Sequence, residues 1–295
     1  MKRVALFLAL IPFALLIGSA LGPIHPLGDS LAVFRFHIGL VTFVSAGLLF
    51  LLKWCKIALG AGILSVAAVG AIWWGYHRQP TSVETPYTLY QKHLSFLSKN
   101  AGKMERDIRT KSPDFITFQE ANGAHEQLLK TLADEYPSSH YCGKSRLTGT
   151  AVSSKFKVIV GSKICSAKTG FAAMQLQTPA GNIWLVSIHL SWPFPHNQAK
   201  HVARITQELA TLKGQIVLAG DFNMVPWSQT MAQIETATRT ARVGQINGTF
   251  RLFDTIDLPI DHVLAPTNCL GTVTTLDLLG SDHHGAFARF TLEAC

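Results

Sequence analysis

Three apolar runs fill the first 76 residues, and any fold for this chain must first dispose of them. Val4 to Leu21 is 18 residues without a charge, roughly 27 Å as a helix, enough for most of a hydrocarbon core. Leu31 to Leu52 is the second, with Arg35 and His37 near its start, where long polar side chains reach the headgroups. Ile57 to Trp74 is the third, and Trp73, Trp74 and Tyr76 give its end the composition of an interfacial aromatic belt. The sequence therefore predicts transmembrane helices at about 4–21, 31–52 and 57–74, the first two separated by the turn Gly22-Pro23-Ile24-His25-Pro26. A cleaved signal peptide over Met1 to Ala20 also fits Lys2-Arg3 and Gly-Ser-Ala, yet two spans would still follow it.

Charge sets the orientation. The first 76 residues hold Lys2, Arg3, Arg35, Lys53 and Lys56 against Asp29 alone, so half of the formal charge of +8 lies there. Lys2, Arg3, Lys53 and Lys56 fall on one side of the expected spans, and the loop from Pro23 to Ser30 carries no Lys or Arg. The positive-inside rule makes the amino terminus cytoplasmic, so three spans deliver the rest of the chain to the opposite face. For a bacterial-type chain this is a multi-pass inner-membrane protein with its large domain on the periplasmic or extracellular side. Cys55 then lies in a cytoplasmic loop as a free thiol. Cys142, Cys165, Cys269 and Cys295 form an even set in the exported domain, compatible with two disulfides or with buried thiols. The pairing Cys142–Cys165 is favoured because the stretch between reads as adjacent strands, which leaves Cys269–Cys295.

Residues 77–86, with Pro80, Thr81, Ser82 and Pro86, read as a linker, and 87–295 as one α/β domain. Strand-like runs occur at Tyr87 to Tyr90, Asp114 to Phe118, Thr150 to Val152, Val158 to Val160, Ile183 to Ile188, Ile216 to Ala219, Ile260 to Leu264 and Ala286 to Leu292. Helical patterns cover Asn100 to Thr110, Ala124 to Glu135 and His196 to Leu212, the last with Val202, Ile205, Leu209 and Leu212 at helical spacing. Polar residues sit at strand ends. Glu120, His189 and Asp221-Phe222-Asn223 each follow an apolar strand, Asp261 begins one, and Asp282-His283-His284 precedes another. Such ends converge on one edge of a sheet, where a rigid scaffold can hold a site.

These pieces carry a resemblance. Gln119-Glu120, His189 in Ser-Ile-His-Leu, Gly220-Asp221-Phe222-Asn223, Ile260-Asp261-His262-Val263 and Ser281-Asp282-His283-His284 occur in the order of the endonuclease/exonuclease/phosphatase superfamily, and the chain from about Tyr87 to Leu292 resembles it. The resemblance implies a four-layer α/β/β/α sandwich of two packed sheets. It also implies a metal-dependent phosphoester hydrolase acting on nucleic acid or a phospholipid head group. Glu120 and Asp282 would lie at the metal, Mg²⁺ or else Mn²⁺. Asp221 would orient or deprotonate the attacking water, and Asn223 and His189 would face the phosphoryl oxygens. His283 would act as general acid or stabilise the pentacovalent phosphorus, with Asp261 fixing its tautomer.

Hard oxygen donors suit Mg²⁺, which takes one or two carboxylates and keeps several waters. The Asp221/Asn223 spacing puts both on one face of an extended segment. His140, His196, His262 and His284 are read as structural, and His201 as a surface residue of a helix. No Gly-rich phosphate loop, Gly-x-Ser-x-Gly or His-Glu-x-x-His occurs. One departure stands out. Where the family opens with an Asn on its first strand, Leu89-Tyr90-Gln91-Lys92-His93-Leu94 puts His93, a further candidate metal ligand that suits Mn²⁺ or Zn²⁺ better than Mg²⁺. The rival reading is a catalytically weakened binding or sensor protein on the same fold. The spread charge of the large domain speaks neither for nor against a polyanionic partner.

Overall fold

The computed structural model describes residues 2–77, 87–95, 101–143, 149–166 and 169–292. Four helices come first: α1 (Lys2–Gly18), α2 (Pro26–Val33), α3 (Arg35–Leu51) and α4 (Cys55–His77). Only α4 among the described helices has both the length and the apolarity to cross a membrane alone. The expected span at 31–52 is broken at Phe34, where α2 and α3 meet at 77°, and α1 is a shorter apolar helix. Three continuous spans are therefore not shown, and polar contacts accompany the break at Phe34. Asp29 of α2 accepts bonds from the backbone N–H groups of Gln229 at 2.7 Å and Thr230 at 2.9 Å, and Arg35 donates to Ser19 and to the Trp227 carbonyl. Polar groups that would be unpaired in hydrocarbon find partners on the large domain instead, so the chain turns there. Gly39 lets α3 close on α4, where Ser65 donates to its carbonyl.

Two sheets follow. The chain runs β1 (Tyr87–His93), α5 (Ala101–Lys111), β2 (Phe115–Gln119), α6 (Gly123–Thr131), β3 (Ser138–Cys142), β4 (Thr150–Ser154), β5 (Lys157–Val158) and β6 (Ile164–Cys165). It continues through β7 (Ala172–Thr178), β8 (Gly181–His189), α7 (Gln198–Leu209), β9 (Gln215–Asp221), α8 (Gln229–Thr238) and β10 (Thr240–Arg242). It ends with β11 (Phe250–Leu252), β12 (Ile256–Leu258), β13 (Asp261–Pro266), β14 (Gly271–Thr275) and β15 (Ala286–Phe290). One sheet has the order β14-β15-β1-β2-β4-β3 and the other β10-β13-β9-β8-β7-β5, with β6 on β7 and β11-β12 as a separate hairpin. β1/β2 and β8/β9 are parallel, each crossover being carried by a helix, and the other pairs are antiparallel.

The layers follow from which residues share a core. Leu89, Phe115, Val152 and Phe290 of the first sheet meet Met174, Leu185, Val217 and Val263 of the second. The outer face of the first sheet packs Tyr90, Ile116 and Phe118 against Met104 and Ile108 of α5 and Leu128 of α6. The outer face of the second packs Val186, Ile188 and Leu218 against Val202, Ile205 and Leu209 of α7 and Met231 of α8. Each fully buried aliphatic side chain contributes roughly 1.5–3 kcal/mol. The result is two sheets face to face with helices outside both. Ala32 and Val33 of α2 belong to that last core, so α2 is packed as part of the large domain.

The Cys142–Cys165 disulfide is present, though it joins β3 of one sheet to β6 of the other rather than neighbours in one sheet. Cys295, the expected partner of Cys269, lies outside the described residues, as do 78–86 of the expected linker. The helix expected at 124–135 starts at Gly123 and stops at Thr131, the one expected at 196–212 is shorter at both ends, and Val160 lies past β5 in a turn.

Candidate active site

Strand register gathers the chemistry. His93, last in β1, pairs with Gln119, last in β2, so Glu120 lies one residue on. In the second sheet Asp221 pairs with both His189 and Asp261. Gly220 lies against β8 so closely that a Cβ there would come within 2.0 Å of the Ile188 carbonyl oxygen. Glu120 and Asn223 take positive φ, 52° and 48°, which turns the chain at each strand end.

The eight expected residues form one cluster. His93 Nε2 is 3.7 Å from a Glu120 oxygen and 3.7 Å from an Asp221 oxygen, and its Nδ1 is 4.0 Å from Asp282. His189 Nε2 is 3.5 Å from Asp221. The His93 ring stacks on His283 at 4.1 Å and meets His189 edge-on at 5.1 Å. His283 Nδ1 donates to Asp261 at 2.8 Å. Asp221 accepts from the Asn223 backbone N–H at 2.7 Å and from its side-chain amide at 3.1 Å, while the same amide donates to the Leu190 carbonyl. His93 is thus inside the site.

Electrostatics divides the histidines. Burial would lower His283, but Asp261 beside it overrides this and raises it to about 9, so it is an imidazolium at neutral pH. Burial, then the charge of His283, holds His93 well below the ordinary imidazole value and His189 at about 4. Burial and the neighbouring Asp261 push the Asp221 carboxyl well above its ordinary range. Asp261, despite burial, is held at about 2 by His283.

A divalent cation fits this chemistry. Donors of His93, His189 and Asp221 lie close enough to share an ion. The 3.7 Å between His93 Nε2 and Glu120 and the 3.5 Å between His189 Nε2 and Asp221 lie within the ~4.2 Å that two ligands of one cation bonded at about 2.1 Å can span. Asn223 Oδ1 and His93 Nδ1 are buried with no hydrogen-bond partner among the described residues. Crowded carboxylates and an orphaned donor set favour a bound positive charge.

The structure also holds residues that the sequence reading passed over. Gln91 donates to Gln119 and to Asp261, each at 2.8 Å, and Gln119 donates to Ser187 at 2.9 Å. Lys92, fully buried, donates to the carbonyls of Asp277 at 2.8 Å and His283 at 2.6 Å. Ser281 donates to the His93 carbonyl and accepts from the His283 backbone N–H. A polar residue on the inward face of a strand, as Gln91 and Gln119 are, was the available signal. Of the histidines read as structural, His262 meets the Met224 carbonyl, His284 the Leu276 carbonyl and His140 the disulfide. His201 is not a free surface residue: it accepts from Ser191 N–H and reaches the Thr169 carbonyl. A cleft of about 870 Å³ opens from Glu120 and His189 between the disulfide and α7, with Trp192, Lys200 and Arg204 in its walls.

Two sheets with a carboxylate–histidine cluster at their edge define a phosphoester hydrolase of the divalent-metal class. The chain belongs to the endonuclease/exonuclease/phosphatase family, whose model matches residues 97–283, more than half of its length. Its fold is similar to that of sphingomyelinase C from Streptomyces griseocarneus (TM-score 0.52, 18% identity, 70% of this chain and 99% of that one). It is also similar to beta toxin from Staphylococcus aureus with bound magnesium ions (0.54, 16%, 70% and 99%). D. rerio TDP2 complexed with single strand DNA product gives 0.54, 15%, 70% and 100%. No curated protein sequence matches significantly.

The Asp261–His283 pair makes a prediction about pH. A group with a raised folded pKa contributes stability fully below its unfolded value, about 6.5, and loses it as pH rises. For His283 that loss runs up through about 9. Thermal unfolding in chelator should therefore fall more steeply over this window for the native chain than for Asp261→Asn. Parallel curves would rule the pairing out.

Proposed function

We propose that this chain is a membrane-anchored, divalent-cation-dependent phosphodiesterase whose catalytic domain lies across the membrane from Lys2, Arg3, Lys53 and Lys56. The observation that carries the reading is the Asp261–His283 ion pair set beside the buried Asp221, an acid and a base within one cluster. Asp221 accepts a proton from the attacking water as its oxygen bonds to phosphorus. His283, held by Asp261, gives a proton to the departing alkoxide as the P–O ester bond breaks. A base whose carboxyl is pushed upward lies closer to neutral pH, where proton acceptance is most effective. Asn223 and His189 contact the phosphoryl oxygens, and neutral His189 does so as a donor. Glu120 and His93 would hold the cation, Mg²⁺ or Mn²⁺, with Asp282 beside it, and when bound it would supply positive charge to the phosphoryl oxygens.

The anchor reading rests on α4, on the bent α2–α3 pair and on α1 together. The large domain is bonded to the ends of these helices at Asp29, Arg35 and Gly75, opposite the basic loop at Lys53 and Lys56.

Turnover of bis(p-nitrophenyl) phosphate across Mg²⁺, Mn²⁺ and chelator tests the chemistry. Asp221→Asn and His283→Ala should each lower the rate by a factor on the order of 10² or more with the fold intact. Rates near that of the native chain would remove the assigned roles.

His93→Asn should move the optimum from Mn²⁺ toward Mg²⁺ with activity kept or raised, because an amide replaces a nitrogen ligand by an oxygen one. An unchanged metal profile would take His93 out of the ligand set.

Orientation has its own readout. A reporter active only outside the cytoplasm should work when fused after Cys295 and fail when fused after Cys55. The opposite pattern would overturn the topology.

A further inference from the structure

Two struts join the membrane-side helices to the two walls of the site. On one side Ser30 of α2 donates to the Phe194 carbonyl at 2.9 Å, and the His25 ring meets the Phe194 ring at 5.6 Å. Phe194 lies in the 190–197 loop, which leaves His189 directly and is tied by Gln198 to the carbonyls of Ser191 and Asn223. On the other side the last turn of α4 is bonded to the large domain, Ile246 donating to the Gly75 carbonyl at 3.3 Å. A Cβ on Gly75 would lie 2.6 Å from the Ile246 side chain, so the contact is close. The chain runs from there to Thr249, which accepts from the Asp261 N–H, and to Phe250, whose ring is 4.8 Å from His283. Trp192 and Phe250 meet at 6.1 Å, joining the walls.

Both walls therefore stand on the outer ends of helices that reach headgroup level. The residues around them are apolar where water would favour polar ones: Ile24 is 79% exposed, Phe253 81%, Trp192 49% and Phe194 41%. The cleft is of small-ligand size.

We propose that the phosphoester hydrolysed at this site belongs to a phospholipid headgroup of the same membrane that holds α1, α3 and α4, taken from the leaflet beneath the site. This rests on the membrane-anchored phosphodiesterase reading above. Water oxygen bonds to phosphorus, the P–O bond to one alcohol breaks, and a proton goes to that alkoxide, giving a phosphomonoester and an alcohol.

The test uses the full chain in vesicles of phosphatidylethanolamine and phosphatidylglycerol, mixed with protein-free vesicles of the same lipids in isotope-labelled form. A single-stranded DNA oligonucleotide and bis(p-nitrophenyl) phosphate are assayed beside them. Lipid in the protein's own vesicles should be hydrolysed about 10²-fold faster than labelled lipid, because tethering raises effective concentration. Cleavage of the oligonucleotide and the soluble diester with both lipid pools intact overturns the proposal in favour of nucleic acid, and leaves the phosphodiesterase reading standing. No turnover of lipid, oligonucleotide or soluble diester overturns both. The double variant Ile24→Ser, Ser30→Ala removes the Ser30 bond of the first strut and the exposed apolar side chain of Ile24, both outside the cleft. It should lower own-vesicle lipid hydrolysis about tenfold and leave soluble-diester turnover within about twofold, since orientation to the bilayer is what it disturbs. Unchanged lipid hydrolysis in that variant overturns the positioning argument.

Discussion

At the edge where the two sheets meet, the apolar interface gives way to a short chain of buried amides, and the site depends on it. Gln91 of β1 donates to Asp261 of the opposite sheet, and its own carbonyl accepts from the Ala286 N–H. Gln119 reaches across to Ser187, which donates back to the Phe118 carbonyl. A buried amide left unpaired costs about 1–3 kcal/mol, so the sheets are held in the one register that satisfies all of these groups. That register sets Asp261 between Gln91 and His283, one carboxylate oxygen for each. The raised pKa of His283 is thus a consequence of how the sheets are pinned together.

The cluster beyond those amides is out of electrostatic balance. Asp221, Asp261, Asp282 and Glu120 converge where His283 is the one histidine of the cluster held protonated near neutral pH, since His93 and His189 are pressed below their ordinary value. Such an arrangement is costly in the absence of a cation, because buried carboxylates that repel one another are stabilised by a positive charge placed among them. Lys92 does not relieve the imbalance directly. Burial lowers it to about 8, its ammonium faces the carbonyls of Asp277 and His283, and it serves to clamp the returning chain under the site.

Much of this was legible in the sequence, and the limits have physical causes. Strands ending in Glu120, His189 and Asp221 could be read because an apolar run that stops at a polar residue is a local signal. Strand β7, the short strands β10 to β12 and helix α8 were not resolved by pattern, since their burial depends on which sheet they join. Gln91 and Lys92 looked like ordinary polar positions of a strand, and only the opposing sheet and the Asp277–His283 loop give them partners. The disulfide was expected on a local argument, whereas it spans the two sheets. The broken second span was invisible to hydropathy, which counts apolar residues and has no knowledge of Gln229 and Thr230, some 200 residues away, whose N–H groups hold Asp29.

That last contact changes how the amino-terminal helices are to be counted. Helix α8 has its first N–H groups satisfied by a carboxylate from α2 and by its own Ser228, so part of its cap is borrowed from the amino-terminal segment. Ala32 and Val33 fill the same core as α7 and α8, and the Trp227 indole donates to the Ala32 carbonyl. Trp227 lies four residues beyond Asn223, on the segment that leaves the site. Cutting the chain after the third apolar run would therefore strip a cap, two core side chains and an indole partner from the catalytic domain. The sequence divides at the linker, whereas the packing divides between α2 and α3, and the physical unit that carries the site includes a piece of what composition alone assigns to the membrane.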